Sequence, residues 1–190
     1  MKPYYKTDNT TLYNGDSLEL LKKIDDDSID LIFSDPPYFL SGGGITCKNG
    51  KMVSVNKGDW DKIDTYKEIG IFNEIWLKEC QRILKPNGTI WISGTHHNIY
   101  SVGNIMKVMG YKFLNVVTWE KPNPPSNLSC RYFTHSTEQV IWCSKNEKSK
   151  HPFNYDLMRE INGGKQMKDV WTFTSPKPNE KRYGKHPTQK

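Results

Sequence analysis

Asp35-Pro36-Pro37-Tyr38 is the stretch of the sequence whose residue types are best suited to chemistry. It follows a short, β-prone apolar run at residues 29–33, and tandem prolines cannot continue a sheet ladder. In open α/β sheets, ligands bind beyond the carboxyl ends of the strands. The sequence therefore predicts that a strand delivers Asp35 to a sharp turn at a ligand-binding edge.

The residue types of this tetrapeptide are suited to binding an amine that is carried by an aromatic ring. An ionised Asp is purely an acceptor, and a residue before proline is kept out of the helical region, so the Asp35 carboxylate and the Pro36 carbonyl would be fixed toward a pocket. An exocyclic base amine is a poor nucleophile because its lone pair is delocalised, and acceptors positioned in advance for its N–H groups help it react. Tyr38 would stack on the base, which contributes about 1–3 kcal/mol. The tetrapeptide alone fits a simple turn after a strand equally well.

Strands and helices alternate along the first three quarters of the chain. Hydrophobic spacing predicts helices at 17–24, 72–84 and 99–109, and strands at 12–16, 29–33, 89–93, 111–119 and 139–143. Residues 41–59 are rich in glycine turn signals and have little periodicity, which predicts a long mobile loop. The pattern indicates an α/β fold with parallel strands, and the last two strands, joined without a helix, predict an antiparallel edge.

Length and composition indicate one folded domain. The chain has 190 residues, of which 35% are hydrophobic and 12% aromatic, enough for a packed core. No signal peptide and no apolar run of roughly 20 residues is visible, which predicts a cytoplasmic protein without a membrane segment. The four cysteines, Cys47, Cys80, Cys130 and Cys143, lack metal-site or disulfide spacing, so we expect reduced thiols and no metal.

The positive charge lies in the C-terminal quarter. Residues 145–190 contain 11 Lys or Arg and 5 Asp or Glu, a difference of +6 that equals the net charge of the whole chain. A solvated basic tail and a surface that binds a polyanion both fit this distribution.

Several other short motifs occur along the chain in a recognisable order. They are Gly15-Asp16, Lys85-Pro-Asn-Gly88, Trp119-Glu-Lys121, Arg131-Tyr-Phe133 with Thr137-Glu138, and His186-Pro-Thr-Gln-Lys190. With Asp35-Pro-Pro-Tyr38 among them, nearly the whole chain resembles the amino-group DNA methyltransferases of β-type order, in which the catalytic half precedes the methionine-binding half. The resemblance implies a partial Rossmann-like sheet, S-adenosylmethionine as the cofactor, and DNA as the partner.

The residues after the tetrapeptide refine this resemblance. Phe39-Leu-Ser-Gly-Gly-Gly44 and residues 53–60 are similar to adenine-N6 methylases of restriction-modification systems that recognise GATC. By position, the resemblance implies catalytic roles for Asp35, Pro36, Pro37 and Tyr38, and cofactor contacts for Asp16, Asp35, Thr188 and Lys190. Phe39, Trp60 and Arg131 would contact DNA, although ordinary packing explains Trp60 and Arg131 equally well.

The chain departs from the family pattern at its C-terminus. The glycine-rich Phe-x-Gly-x-Gly turn that holds the methionine part of the cofactor should follow, and no such motif occurs before residue 190. We therefore expect a truncated or split enzyme, with a catalytic part at 1–144, a target-recognition region at 145–182 and the start of a cofactor-binding half at 183–190. A complementary C-terminal segment or chain, and a homodimer, are open as partners.

Other activities are weaker interpretations of the same residues. N4-cytosine methylation uses the same acceptor logic, and an inactive DNA-binding remnant would fit the absent cofactor motif. Methylation of a protein glutamine is disfavoured because that family resembles Asn-Pro-Pro-Tyr, and C5 methylation is disfavoured because no cysteine has the required Pro-Cys context. The adjacent His96 and His97 are expected to be surface or capping residues.

Overall fold

The computed structural model of the chain describes residues 2–41, 45–48, 51–54, 58–62, 65–175 and 180. Thr188 and Lys190, to which the sequence assigned cofactor contacts, lie outside the described residues, as does the predicted segment 183–190.

The described chain consists mainly of alternating strands and helices. The first half contains β1 (Tyr5–Lys6), β2 (Thr11–Leu12), α1 (Ser17–Leu21), β3 (Ile29–Ser34), β4 (Ile45–Lys48), β5 (Lys51–Ser54), a short 3-10 helix at Asp59–Asp61, and α2 (Tyr66–Ile83). The second half contains β6 (Leu84–Gly94), α3 (Ile99–Val108), β7 (Lys112–Glu120), β8 (Thr137–Ser144), α4 (Tyr155–Ile161) and β9 (Val170–Thr172).

Five strands form the main sheet in the order β3-β6-β8-β7-β9. β3 and β6 are parallel, as are β7 and β9, whereas β8 runs antiparallel to both of its neighbours. The predicted α/β fold with a mixed sheet is confirmed. The antiparallel strand lies inside this sheet and not at its edge, because β8 hydrogen-bonds to β6 and β7 and β9 adds to the outer side of β7.

The strand register brings four chain segments together at one end of the sheet. Ser34 at the end of β3 lies opposite Ile92, Gly94 at the end of β6 lies opposite Gln139, and Glu120 at the end of β7 lies opposite Thr137. We call this end, formed by the last residues of β3, β6 and β7 and the first residues of β8, the carboxyl edge. The reversed direction of β8 explains why its beginning, not its end, lies there.

One face of the sheet is covered by α2 and α3. A capping box begins α2, since the Thr65 hydroxyl accepts from the Glu68 amide at 3.2 Å and the Glu68 carboxylate accepts from the Thr65 amide at 3.1 Å. Apolar residues from α2, α3 and the inner sheet strands form the core: Trp76, Leu77, Cys80, Leu84, Ile90, Ile92, Ile99, Val102, Met106, Tyr111, Ile141 and Cys143. The core therefore fixes the relative positions of β6, β8 and the start of α3.

The opposite face of the sheet is aromatic and less covered. Trp91 of β6 stacks on Trp142 of β8 with ring centroids 4.7 Å apart, and Trp171 of β9 lies beside them. On the outermost strand, β3, Phe33 is 68% exposed. Within the described parts of the chain, no helix is long and apolar enough to cross a membrane.

The predicted long loop at 41–59 contains regular structure, so that prediction was wrong for part of its length. β4 and β5 pair antiparallel, with Ile45 opposite Ser54 and Lys48 opposite Lys51. The sequence between them, Asn49-Gly50, is a dipeptide typical of tight hairpins, and that signal outweighs the lack of longer periodicity. Residues 42–44, 49–50 and 55–57 of this segment lie outside the described structure.

A close approach between β6 and the start of α3 depends on Gly94. Asn98, which precedes α3 and is fully buried, donates from Nδ2 to the Pro37 carbonyl at 3.2 Å and accepts at Oδ1 from the Thr95 amide at 3.2 Å. A Cβ on Gly94 would lie 2.7 Å from Asn98 Oδ1 and 2.9 Å from Ile99 Cδ1. Gly94 thus leaves room for the side chain that holds the Pro37 carbonyl.

We expect Gly94→Ala to destabilise the fold by about 1–3 kcal/mol, because the new methyl group must displace Asn98 and Ile99. The matched control is Gly70→Ala in α2, where a Cβ meets no atom within 4 Å, and which should gain about 0.5–1 kcal/mol of helix stability. Urea unfolding of both variants measures the difference. Equal stabilities of the two variants would contradict the packing described for Gly94.

Candidate active site

The Asp35 carboxylate lies at the carboxyl edge and accepts hydrogen bonds from two hydroxyl groups. Tyr38 Oη donates to Asp35 Oδ1 at 2.9 Å, and Ser93 Oγ, from β6, donates to the same oxygen at 2.7 Å. Ser93 is buried, whereas Asp35 is exposed. Two strands therefore cooperate to hold one accessible carboxylate in place, as expected for an acceptor positioned before its ligand arrives.

A buried ion pair adjoins this cluster from the other two central strands. Lys121, just after β7, pairs with Glu138 near the start of β8, and the Lys121 and Glu138 side chains are 15% and 11% exposed. Glu138 Oε2 lies 3.5 Å from the Tyr38 hydroxyl oxygen. The Lys121 ammonium also lies 4.7 Å from the centroid of the Trp119 ring. The charges of the pair compensate each other beside the Asp35 carboxylate.

The backbone of the proline turn is held by α3. The Pro37 carbonyl is bound by Asn98 Nδ2, and neither proline can donate a backbone N–H. Thr95, the residue after β6, has a buried hydroxyl oxygen without a hydrogen-bond partner among the described residues. The carboxyl edge thus combines fixed acceptors with one buried hydroxyl that a ligand can engage.

The exit from the turn is fixed by Asp61. This fully buried carboxylate accepts from the Phe39 amide at 2.8 Å, from the Leu40 amide at 3.0 Å and from the Ser41 hydroxyl at 2.7 Å. Phe39 has a φ of 57°, a region that non-glycine residues rarely occupy. The bonds to Asp61 compensate for that conformation, so Asp61 determines the direction in which the chain leaves the site.

The other predicted site residues are placed in different ways. Asp16 caps α1, where its carboxylate accepts from the Leu18 amide at 2.8 Å, and it is exposed. Phe39 packs edge-on against Phe72 with centroids 5.6 Å apart. Arg131 is exposed on the connection between β7 and β8. The backbone of Trp60 belongs to the 3-10 helix, and its side chain lies outside the described part of the structure.

Aromatic and imidazole rings lie on the segments that flank the site. His96 stacks on His135 with centroids 4.4 Å apart, and Tyr132 lies 5.5 Å from His135. Burial, and then the neighbouring His135, lowers the pKa of His96, while burial, His96 and His135 lower the pKa of His97. Both rings therefore favour the neutral form near pH 7. In the described residues, no group of three or more His, Cys, Asp or Glu side chains could hold a metal ion.

Neither the buried thiols nor the large aromatic cavity belongs to the Asp35 cluster. Burial raises the pKa of Cys80 and Cys143 to about 12, so neither thiol is a nucleophile near neutral pH. A cavity of about 480 Å³ opens on the aromatic face of the sheet between Trp91, Trp142 and α4. It shares no lining residue with the Asp35 cluster, and most of its lining surface is apolar.

The sequence identified the centre of this site but not its support. Ser93, Asn98 and Asp61 carried no recognised signal, because each becomes relevant only through contacts with residues more than 20 positions away. Lys121 and Glu138 were recognised only as members of ordered motifs. A polar residue at the end of a core strand, as Ser93 is, was the one local sign that could have been used.

Comparison with known proteins assigns this chain to a protein family. The sequence model of the DNA methylase family, which covers N6 and N4 methyltransferases, matches residues 29–190 and thus includes every described residue of the Asp35 cluster. The chain belongs to the DNA methylase family. The predicted resemblance to amino-group DNA methyltransferases is confirmed at this level.

Curated relatives align over the whole of this chain. It is 57% identical to the type II methyltransferase M2.LlaDCHI of Lactococcus lactis subsp. cremoris over 190 residues, 71% of that protein's length. It is 56% identical to the type II methyltransferase M2.DpnII of Streptococcus pneumoniae, again over 71% of the relative. It is also 53% identical to M2.MboI of Moraxella bovis. All three of these relatives are type II methyltransferases.

Solved structures support the fold. The cytosine-N4-specific PvuII DNA methyltransferase matches 94% of this chain and 62% of its own, with a TM-score of 0.68 and 20% sequence identity. The complex of M1.HpyAVI with S-adenosylmethionine matches with a TM-score of 0.57 and 20% identity, over 68% of that chain. At this identity the match establishes the methyltransferase fold and not the substrate.

We expect Asp61→Ala to destabilise the protein by about 3–5 kcal/mol, because two buried amides and a hydroxyl lose a charged acceptor. Asp59→Ala is the matched control: its side chain is 96% exposed in a surface pair with Lys62, so its removal should leave the unfolding midpoint unchanged. Urea unfolding compares the two variants. If Asp61→Ala were as stable as Asp59→Ala, the assigned role of Asp61 would be wrong.

Proposed function

We propose that this protein transfers a methyl group from S-adenosylmethionine to the N6 amine of adenine in DNA, as the modification enzyme of a type II restriction-modification system. The Asp35 carboxylate, accessible yet held by Ser93 and Tyr38, is the observation that carries the proposal. In this function, Asp35 and the Pro36 carbonyl accept the N–H groups of the base amine and direct its nitrogen lone pair toward the methyl donor.

The carboxyl edge fits this cofactor in its chemistry. S-adenosylmethionine carries a sulfonium and an ammonium group, and the edge presents the acceptor oxygens of Asp35 and the buried Thr95 hydroxyl. Asp35 and Asp16 are the described residues that would hold it, while Thr188 and Lys190 lie outside the described structure. When bound, the cofactor would supply the methyl group: the N–C bond would form as the S–C bond breaks, the electron pair would stay on a neutral thioether sulfur, and the proton lost by the amine would pass to water.

The surroundings of the site support DNA as the substrate. Exposed aromatic side chains lie on the connection between β7 and β8, where Tyr132 is 61% and Phe133 95% exposed next to Arg131. Planar rings stack on bases and guanidinium groups bind phosphates. Residues 145–182, which belong to the basic C-terminal quarter, serve as the target-recognition region in this proposal. A GATC recognition sequence is supported only by the resemblance of residues 39–44 and 53–60.

Tyr38 has a defined starting position in this mechanism. Its ring is 7% exposed and its hydroxyl donates to Asp35 Oδ1, so a base that enters the site meets an accessible carboxylate with one oxygen engaged and a largely covered ring. Stacking on the base, the role proposed for Tyr38, therefore requires the side chain to move away from Asp35. The Pro37 carbonyl is already bound by Asn98, which leaves the Pro36 carbonyl for the amine.

Replacement of Asp35 by Ala should reduce methyl transfer by about 100-fold or more, because the amine loses its fixed acceptor. Affinity for DNA should change little, since phosphate contacts dominate it. Incorporation of tritiated methyl groups and fluorescence anisotropy of labelled DNA measure the two quantities. Asp30→Ala is the control, since this exposed carboxylate lies at the other end of β3 and pairs with Lys85. Equal loss of transfer and DNA binding in Asp35→Ala would contradict the proposal.

The target base can be identified with oligonucleotides in which only one base carries a candidate amine. We expect N6-methyladenine in a GATC duplex whose cytosines are replaced by pyrimidin-2-one, which lacks the exocyclic amine, and no methylated base in a duplex whose adenines are replaced by purine. A scrambled site should not be methylated. Mass spectrometry of the digested DNA identifies the product. N4-methylcytosine is the second candidate, because cytosine presents an equivalent amine to the same acceptors. Methylated cytosine without methylated adenine would replace the adenine assignment.

A further inference from the structure

The Tyr38 hydroxyl has three acceptors within reach. Its oxygen lies 2.9 Å from Asp35 Oδ1, 3.5 Å from Ser93 Oγ and 3.5 Å from Glu138 Oε2. A hydroxyl has one proton and makes one strong donated bond at a time, which here goes to Asp35. That oxygen belongs to the carboxylate which, in the proposed function, must accept the base amine. Ser93 Oγ also donates to Oδ1, so both lone pairs of this oxygen are engaged, and the base amine gains access to it when the Tyr38 hydroxyl moves to another acceptor.

Glu138 is placed to be that acceptor. It reaches the site from β8, and its carboxylate is fixed by the ion pair with Lys121. Both side chains of this pair are mostly buried, and buried ion pairs contribute little to stability compared with apolar residues of similar size. A role for the pair in placing a nearby group is consistent with its position beside the Tyr38 hydroxyl.

We propose that Glu138 is a positioning residue that accepts the Tyr38 hydroxyl when a base amine binds Asp35. This inference rests on the proposed function. A shift of the hydroxyl oxygen by less than an ångström brings the 3.5 Å separation from Glu138 Oε2 into normal hydrogen-bond range and releases Asp35 Oδ1. Lys121 holds the receiving carboxylate in place. Without Glu138, the other acceptors of the buried hydroxyl are the Asp35 carboxylate and the neutral Ser93 Oγ at 3.5 Å. The charged oxygen is the stronger acceptor, so the hydroxyl stays on Asp35 and competes with the amine, which slows methyl transfer.

If Glu138 accepts the Tyr38 hydroxyl, the effect of replacing Glu138 on the rate of methyl transfer depends on that hydroxyl. If Glu138 only supports the fold around β7 and β8, its replacement has the same effect whether residue 38 carries a hydroxyl or not. If Glu138 receives that hydroxyl, the effect disappears once the hydroxyl is removed. A double-mutant cycle distinguishes these cases, and the loss of the Lys121 ion pair cancels because it is common to both arms.

The cycle combines Tyr38→Phe with Glu138→Leu and measures single-turnover methylation of a GATC duplex under saturating DNA and cofactor. We expect Glu138→Leu to slow the reaction at least about tenfold when Tyr38 is present and less than about twofold in the Tyr38→Phe background, a coupling typical of directly interacting groups. The DNA dissociation constant should be the same for all four proteins. Glu138→Gln keeps an acceptor oxygen and should restore most of the rate lost in Glu138→Leu.

Each other outcome overturns a specific statement. Equal slowing by Glu138→Leu in both backgrounds, or no slowing in either, overturns the role of Glu138 and leaves the proposed function intact. A rate for Glu138→Gln as low as that of Glu138→Leu also overturns it, since an acceptor alone should suffice. If the unaltered protein transfers no methyl group to DNA under the same conditions, the proposed function itself fails.

Discussion

The site depends on one constraint. The Asp35 carboxylate must stay accessible while hydroxyl groups from its own turn and from a neighbouring strand hold it in place. Asp35 has no regular structure of its own after β3, so its orientation comes from Ser93 and Tyr38. Ser93 is in turn fixed because β6 lies in the core, between β3 and β8. The carboxylate held in this way keeps its position when an amine binds and only the Tyr38 hydroxyl has to move, and such preorganised polar groups contribute to catalysis because they are in place before the reaction.

The topology of the sheet explains how so many polar side chains meet at one edge. Parallel strands bring only their ends to this edge, whereas β8 runs in the opposite direction and brings its beginning. Glu138 therefore lies at the same edge as Asp35, with Oε2 3.5 Å from the Tyr38 hydroxyl oxygen, and Lys121 follows directly from β7. Asn98, just before α3, then fixes the Pro37 carbonyl, and Asp61, in the 3-10 helix, fixes the chain just after Tyr38. The arrangement is a consequence of strand direction as much as of residue type.

The local sequence pattern was sufficient to predict the elements that have a strong hydrophobic periodicity or a strong termination signal. The apolar run before Asp35 and the helix ended by Gly110 were predicted within two residues of β3 and α3. The partners of Asp35 were not predictable, because the contact of Ser93 with Asp35 depends on the register of β6 against β3, which no local pattern determines. The β4–β5 hairpin was missed for a different reason: its strands are four residues long, too short for periodicity to show.

The most direct measurement of the central claim is the structure of the protein bound to DNA and to a cofactor analogue. The account predicts that the exocyclic nitrogen of the extruded adenine lies within about 3.2 Å of an Asp35 carboxylate oxygen, the upper range of an N–H···O hydrogen bond. It also predicts that the Tyr38 hydroxyl has left Asp35. An adenine bound elsewhere, with Asp35 still hydrogen-bonded to both Tyr38 and Ser93, would contradict the claim that this carboxylate is the acceptor for the base.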